Sequence, residues 1–250
     1  MSASSRLEFL GTLAGGLAHE IKNPLSTLKL TLQLLQEDMR KEDSPLSRRS
    51  LRKIEVLLRE VAHMDGIVQN FLHFARGHDL KLVQTDLREL VVELLEFLGE
   101  EARARNISLH FDYAGRLDGL VLDGPLVRQA LLNLLKNAIE AVDAAKGGEI
   151  IVRARVRGDI VGIEVIDTGC GIAASNLDRM FRPYFTTKKG GTGMGLPMVR
   201  RIVEEHGGQI TFDSEEGKGT RFLILLPVNP GKRDSLQAMV AVGNRPEETA

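Results

Sequence analysis

Cysteine is nearly absent: Cys170 is the only one in 250 residues, so no internal disulfide can form. A lone thiol fits a reducing cytoplasm, the compartment expected for this chain. Tryptophan is missing and aromatics make up 4%, so the core must rest on Leu, Val and Ile. Neither sign of charge dominates, since 33 Lys and Arg stand against 34 Asp and Glu for a formal net charge of −1. With no basic stripe and no interleaved aromatics, nucleic acid is not an expected partner. No apolar run reaches the roughly 18 to 20 residues that span a bilayer. The start, Met1 to Arg6, lacks the apolar centre of a signal peptide. The expectation is a soluble chain without a membrane segment, forming one large domain or two modest ones.

Two patterns follow each other along the chain. Leu7, Leu10, Ala14, Leu17, Ile21, Leu28, Leu32, Leu35 and Met39 keep three-and-four spacing, with one gap at Pro24 and Leu25. This predicts a long helix, kinked near Pro24 because proline has no N–H to donate. Arg40 to Ser47 reads as a connection, and helical spacing resumes from Leu51 to about Phe74. A helical hairpin alone leaves its apolar seam half exposed, so a homodimer closing a four-helix bundle is expected.

From residue 84 the pattern changes. Asp86 with Glu89 makes a capping-box start for a helix to about Arg105. Ile107 to Tyr113 alternates as a strand, and Asp123, Gly124 and Pro125 open another helix. Glu149 to Arg157 and Ile160 to Asp167 predict paired strands, Ser175 to Met180 a turn or two of helix, and Leu196 to His206 a helix closed by Gly207. A last hairpin is expected from Gln209 to Ser214 and Thr220 to Leu226. The predicted class is α plus α/β: a helical hairpin over 1–78, an α/β layer with mostly antiparallel strands over 79–228, and a disordered tail over 229–250.

The second region carries phosphate chemistry. Asn133 and Asn137 lie one turn apart on an apolar helix, where two poor helix formers need a reason. The amide oxygen of Asn137 suits Mg²⁺, a hard cation that bridges phosphates, and Lys136 can meet phosphate or remain solvated. Asp167 ends a strand, where a carboxylate can accept a hydrogen bond from an adenine amino group. Gly169 and Gly171 let the backbone pass close beneath a base. Gly190, Gly191, Gly193 and Gly195 lead into the helix starting near Leu196, whose N-terminal amides can meet phosphate oxygens. Between these motifs, Phe181 to Gly190 supplies aromatic anchors for a mobile lid, with Thr187 and Lys188 included in the nucleotide set.

A second cluster sits upstream. His19 falls between Leu17 and Ile21, off the apolar seam. A neutral imidazole can attack phosphorus, Glu20 can draw off the other ring proton, and Asn23 can orient a hydrolytic water. An exposed His-Glu pair alone would mean little, but a nucleotide site downstream makes it a phosphoacceptor candidate. The other five histidines, His206 among them, lack such a setting.

These motifs, in this order, resemble the sensor histidine kinases of bacterial two-component systems over about Leu7 to Pro227. His19 to Pro24 is similar to the H box, Asn133 to Glu140 to the N box, Asp167 to Gly171 to the G1 box, Phe181 to Phe185 to the F box and Gly191 to Gly195 to the G2 box. The resemblance implies an ATP-binding domain of the Bergerat type, shared with gyrase and Hsp90-like ATPases. It further implies adenine contact by Asp167, Mg²⁺ at Asn137, Thr220 near the adenine end and autophosphorylation of His19. Wording around His19 and the Phe-Thr-Thr-Lys lid is most similar to the NtrB-type branch, which implies a response regulator partner of the NtrC type. Only six residues precede Leu7, so signal input is expected from a missing segment, a partner or the tail. A GHKL-type ATPase without phosphotransfer and a non-catalytic dimeric scaffold are the alternatives.

Overall fold

A computed structural model describes residues 3–41, 44–75, 80–143, 145–188 and 191–228; the side chains of 3–20, 22, 45, 59, 62–63 and 65–75 lie outside that description. The tail expected to be disordered lies outside it too. The chain divides into two compact units, Met1–His78 and Asp79–Ala250.

The first unit is a hairpin of α1 (Ala3–Arg40) and α2 (Pro45–Ala75). The helix assignment of α1 runs unbroken through Pro24. The expected gap is filled: Leu25 is buried, as are Ile54 and Val61 of α2. Spacing alone does not mark Leu25, because the proline beside it reads as a break. The connection is also shorter than Arg40 to Ser47. Ser44 caps α2, its Oγ accepting from the Ser47 N–H at 3.1 Å, and Pro45 follows as the first helical residue. Proline there loses no bond, because a first-turn N–H has no helical partner. The same proline, read as a breaker, had hidden a start signal.

The second unit layers helices on one face of a five-stranded sheet. Its strands are β2 (Ile107–Ala114), β4 (Gly148–Arg157), β5 (Ile160–Asp167), β6 (Gln209–Glu215) and β7 (Gly219–Pro227), in the order β2-β4-β5-β7-β6. Only the β2–β4 pairing is parallel; the others are antiparallel. A small ribbon of β1 (Val83–Thr85) and β3 (Leu120–Leu122) adds to the expected strands; each is three residues long and too short to show alternation.

The helices are α3 (Leu87–Ala104), α4 (Gly124–Ala141), the short α5 (Ala174–Leu177) and α6 (Gly195–Glu205). The predicted starts of α3 and α4 are capped by side chains. Asp86 accepts from the Glu89 N–H at 3.1 Å, and Asp123 from the Leu126 N–H at 3.2 Å. Such caps contribute about 1 kcal/mol each.

Strand alternation sorts the sheet into a core face and a solvent face. Ile150, Val152 and Ala154 of β4 are buried with Ile163 and Val165 of β5 and Phe222, Ile224 and Leu226 of β7. The other face carries charge. Arg153 pairs with Asp112 and Glu164, Arg155 with Asp112, and Arg221 with Glu164 and Asp213. Exposed pairs of this kind add little stability, but they fix which face meets water. No helix among the described residues is long and apolar enough to cross a membrane.

Candidate functional site

Extending the inward alternation of β5 and β7 leads to Asp167 and Thr220, which are register partners. Both are 6% exposed, at positions where the pattern calls for apolar side chains. A buried carboxylate is costly unless bonded. Asp167 Oδ1 accepts from the Gly169 N–H at 2.8 Å. Burial nevertheless pushes its carboxyl above the ordinary carboxylate range, against the opposing pull of the Gly169 and Thr220 backbones and the Lys188 charge. Thr220 Oγ1 lies 2.9 Å from Ser214 Oγ. Ser214 Oγ also accepts from the Ile172 N–H at 2.9 Å, tying the loop after β5 to β6. Ser214 carried no sequence signal, because its role depends on strand pairing.

The glycines after Asp167 sit against protein. A Cβ at Gly169 would come 2.7 Å from that of Ala141, at the end of α4. One at Gly171, whose φ is +66°, would collide with the Glu215 carbonyl. These approaches seat the end of β5 between α4 and the β6–β7 turn. Cys170 between them is exposed.

Helix α4 presents Asn133 and Asn137, both half-buried, while Lys136 faces solvent. The start of α6 comes to them. A Cβ at Gly195 would lie 3.8 Å from Asn137 Nδ2 and 4.0 Å from Asn133 Cγ. Met194, at the N-cap of α6, makes no side-chain cap. The first-turn amides of Gly195 and the half-buried Leu196 are therefore free of a side-chain acceptor, the arrangement that suits an anion.

The lid is pinned at both ends. Arg200 lies over the Phe181 ring at 4.6 Å, Phe181 packs on Phe212 at 5.9 Å, and Arg179 lies over Phe185 at 4.5 Å. The Tyr184 N–H donates to the Gly193 carbonyl at 3.0 Å, and a Cβ at Gly193 would strike the Tyr184 backbone. Tyr184 itself holds φ at 64°, a strained value for a residue with a Cβ. Between these anchors, Thr186 Oγ1 accepts from the Lys188 N–H at 3.1 Å, and the Gly191 N–H donates to the Lys188 carbonyl at 3.1 Å. Thr187 is exposed. Lys189 and Gly190 lie outside the described residues.

Lys188 leaves the lid and reaches α4. Its Nζ donates to Asn137 Oδ1 at 2.9 Å and to Glu140 Oε2 at 2.6 Å. The Asn137 amide oxygen thus already faces a cation, a donor type that fits Mg²⁺. Glu140 gained no role from the sequence, since a helical glutamate is ordinarily solvated.

His206, incidental in the sequence, is 2% exposed. Its Nε2 accepts from the Asp123 N–H at 3.1 Å, and its Nδ1 lies 2.7 Å from the Ile202 carbonyl. The acceptor role of Nε2 puts the proton on Nδ1. The residue therefore ties the end of α6 to the start of α4, which sets two nucleotide-facing helices against each other. Of the upstream cluster, Asn23 is exposed on α1, and the side chains of His19 and Glu20 lie outside the described residues.

Residues 9–79 match the His Kinase A (phospho-acceptor) domain. Residues 122–230 match the histidine kinase-, DNA gyrase B- and HSP90-like ATPase family. The sensor histidine kinase ZraS of Escherichia coli (strain K12) is 39% identical over 94% of this chain and 49% of its own length. Sporulation kinase E of Bacillus subtilis (strain 168) is 34% identical over 90% of this chain and 29% of its own. The chain spans about half the length of the ZraS relatives it matches. Among solved structures, the catalytic domain of histidine kinase ThkA is 32% identical over 61% of this chain and 99% of its own, with a TM-score of 0.56. Full-length ShkA in complex with AMPPNP gives a TM-score of 0.75 at 26% identity, over 86% of this chain and 45% of its own. ThkA in complex with the response regulator protein TrrA gives 0.65 at 27%, over 92% and 65%. With both domains matched in order and a whole catalytic domain covered, the chain belongs to the two-component sensor histidine kinases.

Proposed function

We propose that the chain is an ATP-dependent protein-histidine kinase that phosphorylates its own His19 and passes the phosphoryl group to an aspartate of a response regulator. The observation that carries this reading is Asp167, a carboxylate buried at a core position of the same unit in which Asn137 meets the uncapped start of α6. A flat base with an exocyclic amine suits the carboxylate, and phosphates suit the helix start. The AMPPNP complex of ShkA and the regulator complex of ThkA support the same reading.

In the transfer, a ring nitrogen of His19 attacks the γ-phosphorus while the bond to the β-phosphate oxygen breaks and ADP leaves. Glu20 takes the proton from the other ring nitrogen. The regulator's carboxylate then receives the phosphoryl group, and Glu20 returns its proton to the ring so that His19 is again a neutral imidazole. Mg²⁺, when bound through Asn137, would offset phosphate charge. Asn133, Thr187, Lys188 and the amides from Gly191 to Leu196 complete the phosphate end, with Thr220 beside Asp167 at the base. Asn23, exposed on α1, positions water for dephosphorylation of the regulator. An NtrC-type regulator fits the wording around His19. The cytoplasm, which supplies ATP and keeps a lone thiol reduced, is the implied compartment.

The hairpin works as a homodimer in this reading. Ile21, Leu28 and Leu35 recur every seventh residue on α1 and are 40%, 50% and 43% exposed, and Leu57 and Met64 repeat that spacing on α2. A second hairpin covers such a stripe.

The test is incubation with Mg²⁺ and γ-labelled ATP, followed by acid and alkali. Label stable to alkali and lost in acid is expected. Bound ATP with no label but released phosphate would point to the ATPase reading instead.

A further inference from the structure

The ammonium of Lys188 and a metal ion at Asn137 cannot share one seat. Lys188 Nζ lies 2.9 Å from Asn137 Oδ1, the oxygen assigned to Mg²⁺, and 2.6 Å from Glu140 Oε2. A cation bound at that oxygen at about 2.1 Å would stand no more than about 5 Å from the ammonium, and two positive charges that close repel. Binding the metal therefore favours moving Lys188 away. Among the described residues, the lid carries Phe181 and Phe185 packed at its start and a turn through Thr186 before Lys188.

We propose that Glu140 is a positioning residue: it anchors Lys188 as a tethered cation on the metal's oxygen, so that the lid rests on α4 until a metal-nucleotide displaces it. This rests on the nucleotide reading above. The electrostatics favour a release as well as a hold. Lys188 also feels Asp167, whose carboxyl its charge pulls downward. An incoming triphosphate supplies a stronger set of oxygens for the ammonium, while the metal it carries replaces Lys188 at Asn137. Metal and lysine exchange partners, and the Asn137 carbonyl keeps a cation throughout. Glu140 pairs with Lys188 in one state and is left to water in the other, a small cost for a half-exposed side chain.

The experiment uses the full chain with Glu140→Gln, Lys188→Met and the double variant. Hydrogen exchange of the lid peptide, measured without nucleotide, reads the contact itself. Both single variants should exchange faster by about two- to fivefold, the range of an exposed ion pair, and the double variant no faster than either. The second arm titrates Mg²⁺ against ADP by calorimetry. Glu140→Gln should lower the Mg²⁺ concentration for half-saturation, again by about two- to fivefold, with metal-free ADP binding unchanged.

The sign of that shift decides the role. A carboxylate that attracted the metal directly would make Glu140→Gln bind Mg²⁺ more weakly, which would overturn the proposal. Unaltered lid exchange in both variants would overturn it too. If wild-type protein bound no nucleotide, the nucleotide reading and the competition would fall together. The exchange arm would still report the ion pair, so that failure is distinguishable from a missing Glu140–Lys188 contact.

Discussion

In the α/β unit, Leu94, Leu131, Leu135, Ile150 and Ile163 are each exposed by less than 2%. In the hairpin, Leu25, Ile54 and Val61 are buried, but Leu28, Leu34, Leu35 and Leu57 remain around half exposed. The same residue types meet two fates because a sheet with helices on one face encloses a volume, whereas two helices enclose only a line. One unit completes its core with its own chain, and the other is short of a partner surface. Chemistry is divided the same way: the self-sufficient unit holds the nucleotide motifs, and the unit with the exposed leucine stripe carries His19.

The sharpest way to separate the two is His19→Gln. Autophosphorylation should vanish while ATP affinity, measured by calorimetry, stays at its original value. Retained alkali-stable label would place the acceptor elsewhere.

The stripe comes next. Leu28→Asp changes two positions in the proposed dimer, and each leucine, half exposed in the hairpin, would bury about half of the 1.5 to 3 kcal/mol of a whole side chain. Dimer affinity should fall by at least about 1.5 to 3 kcal/mol, read by sedimentation, with nucleotide binding intact. A dimer that survives would mean that the hairpin's exposed leucines serve some other surface.

Within the α/β unit, Asp167→Asn tests function against stability. Burial raises the folded pKa of Asp167, so between its ordinary value and the raised one the folded state holds a proton that the unfolded chain has lost. Stability therefore falls as pH rises through that window, and the penalty is complete above it. The amide removes the penalty: at neutral pH thermal stability should hold or rise, and the gain should disappear below about pH 3.9. Nucleotide affinity should drop about ten- to hundredfold from loss of a charged hydrogen bond. A variant that lost stability at neutral pH would show that the charge is needed by the fold.

A smaller effect is expected of His206→Ala. It strands the Asp123 N–H in the core at a cost of about 1 to 3 kcal/mol, seen as a lower denaturation midpoint. The hairpin's transition should not move. Asn23→Ala should be milder still for the kinase step, slowing only regulator dephosphorylation.

Most helices and strands of the α/β unit were legible because local chemistry marks their ends. Asp86 and Asp123 cap helices where a short acidic side chain meets a free amide, and β4 and β5 alternate for their full length. What escaped depended on distant partners. β3 exists only because β1 lies beside it. Leu25 is buried although its neighbour is proline. The nucleotide residues were chosen by their types and spacing, but Glu140, Ser214 and His206 matter through what other elements bring to them. No spacing rule sees an ion pair between residues 140 and 188, or a histidine whose acceptor role is set by an amide 83 positions away.

The single parallel pairing, β2 with β4, has a kinetic meaning. Parallel neighbours cannot be joined by a tight turn, and the segment between Ile107 and Gly148 contains the whole of α4. The β4–β5 and β6–β7 hairpins close short loops and should assemble early, while β2 must wait for a long detour to be paid out. The helix bearing Asn133 and Asn137 is thus wound before it is moored. In refolding experiments, capture of a fluorescent nucleotide should lag behind the far-ultraviolet circular dichroism signal, because the last stitch in the sheet is the one that sets the binding helix in place.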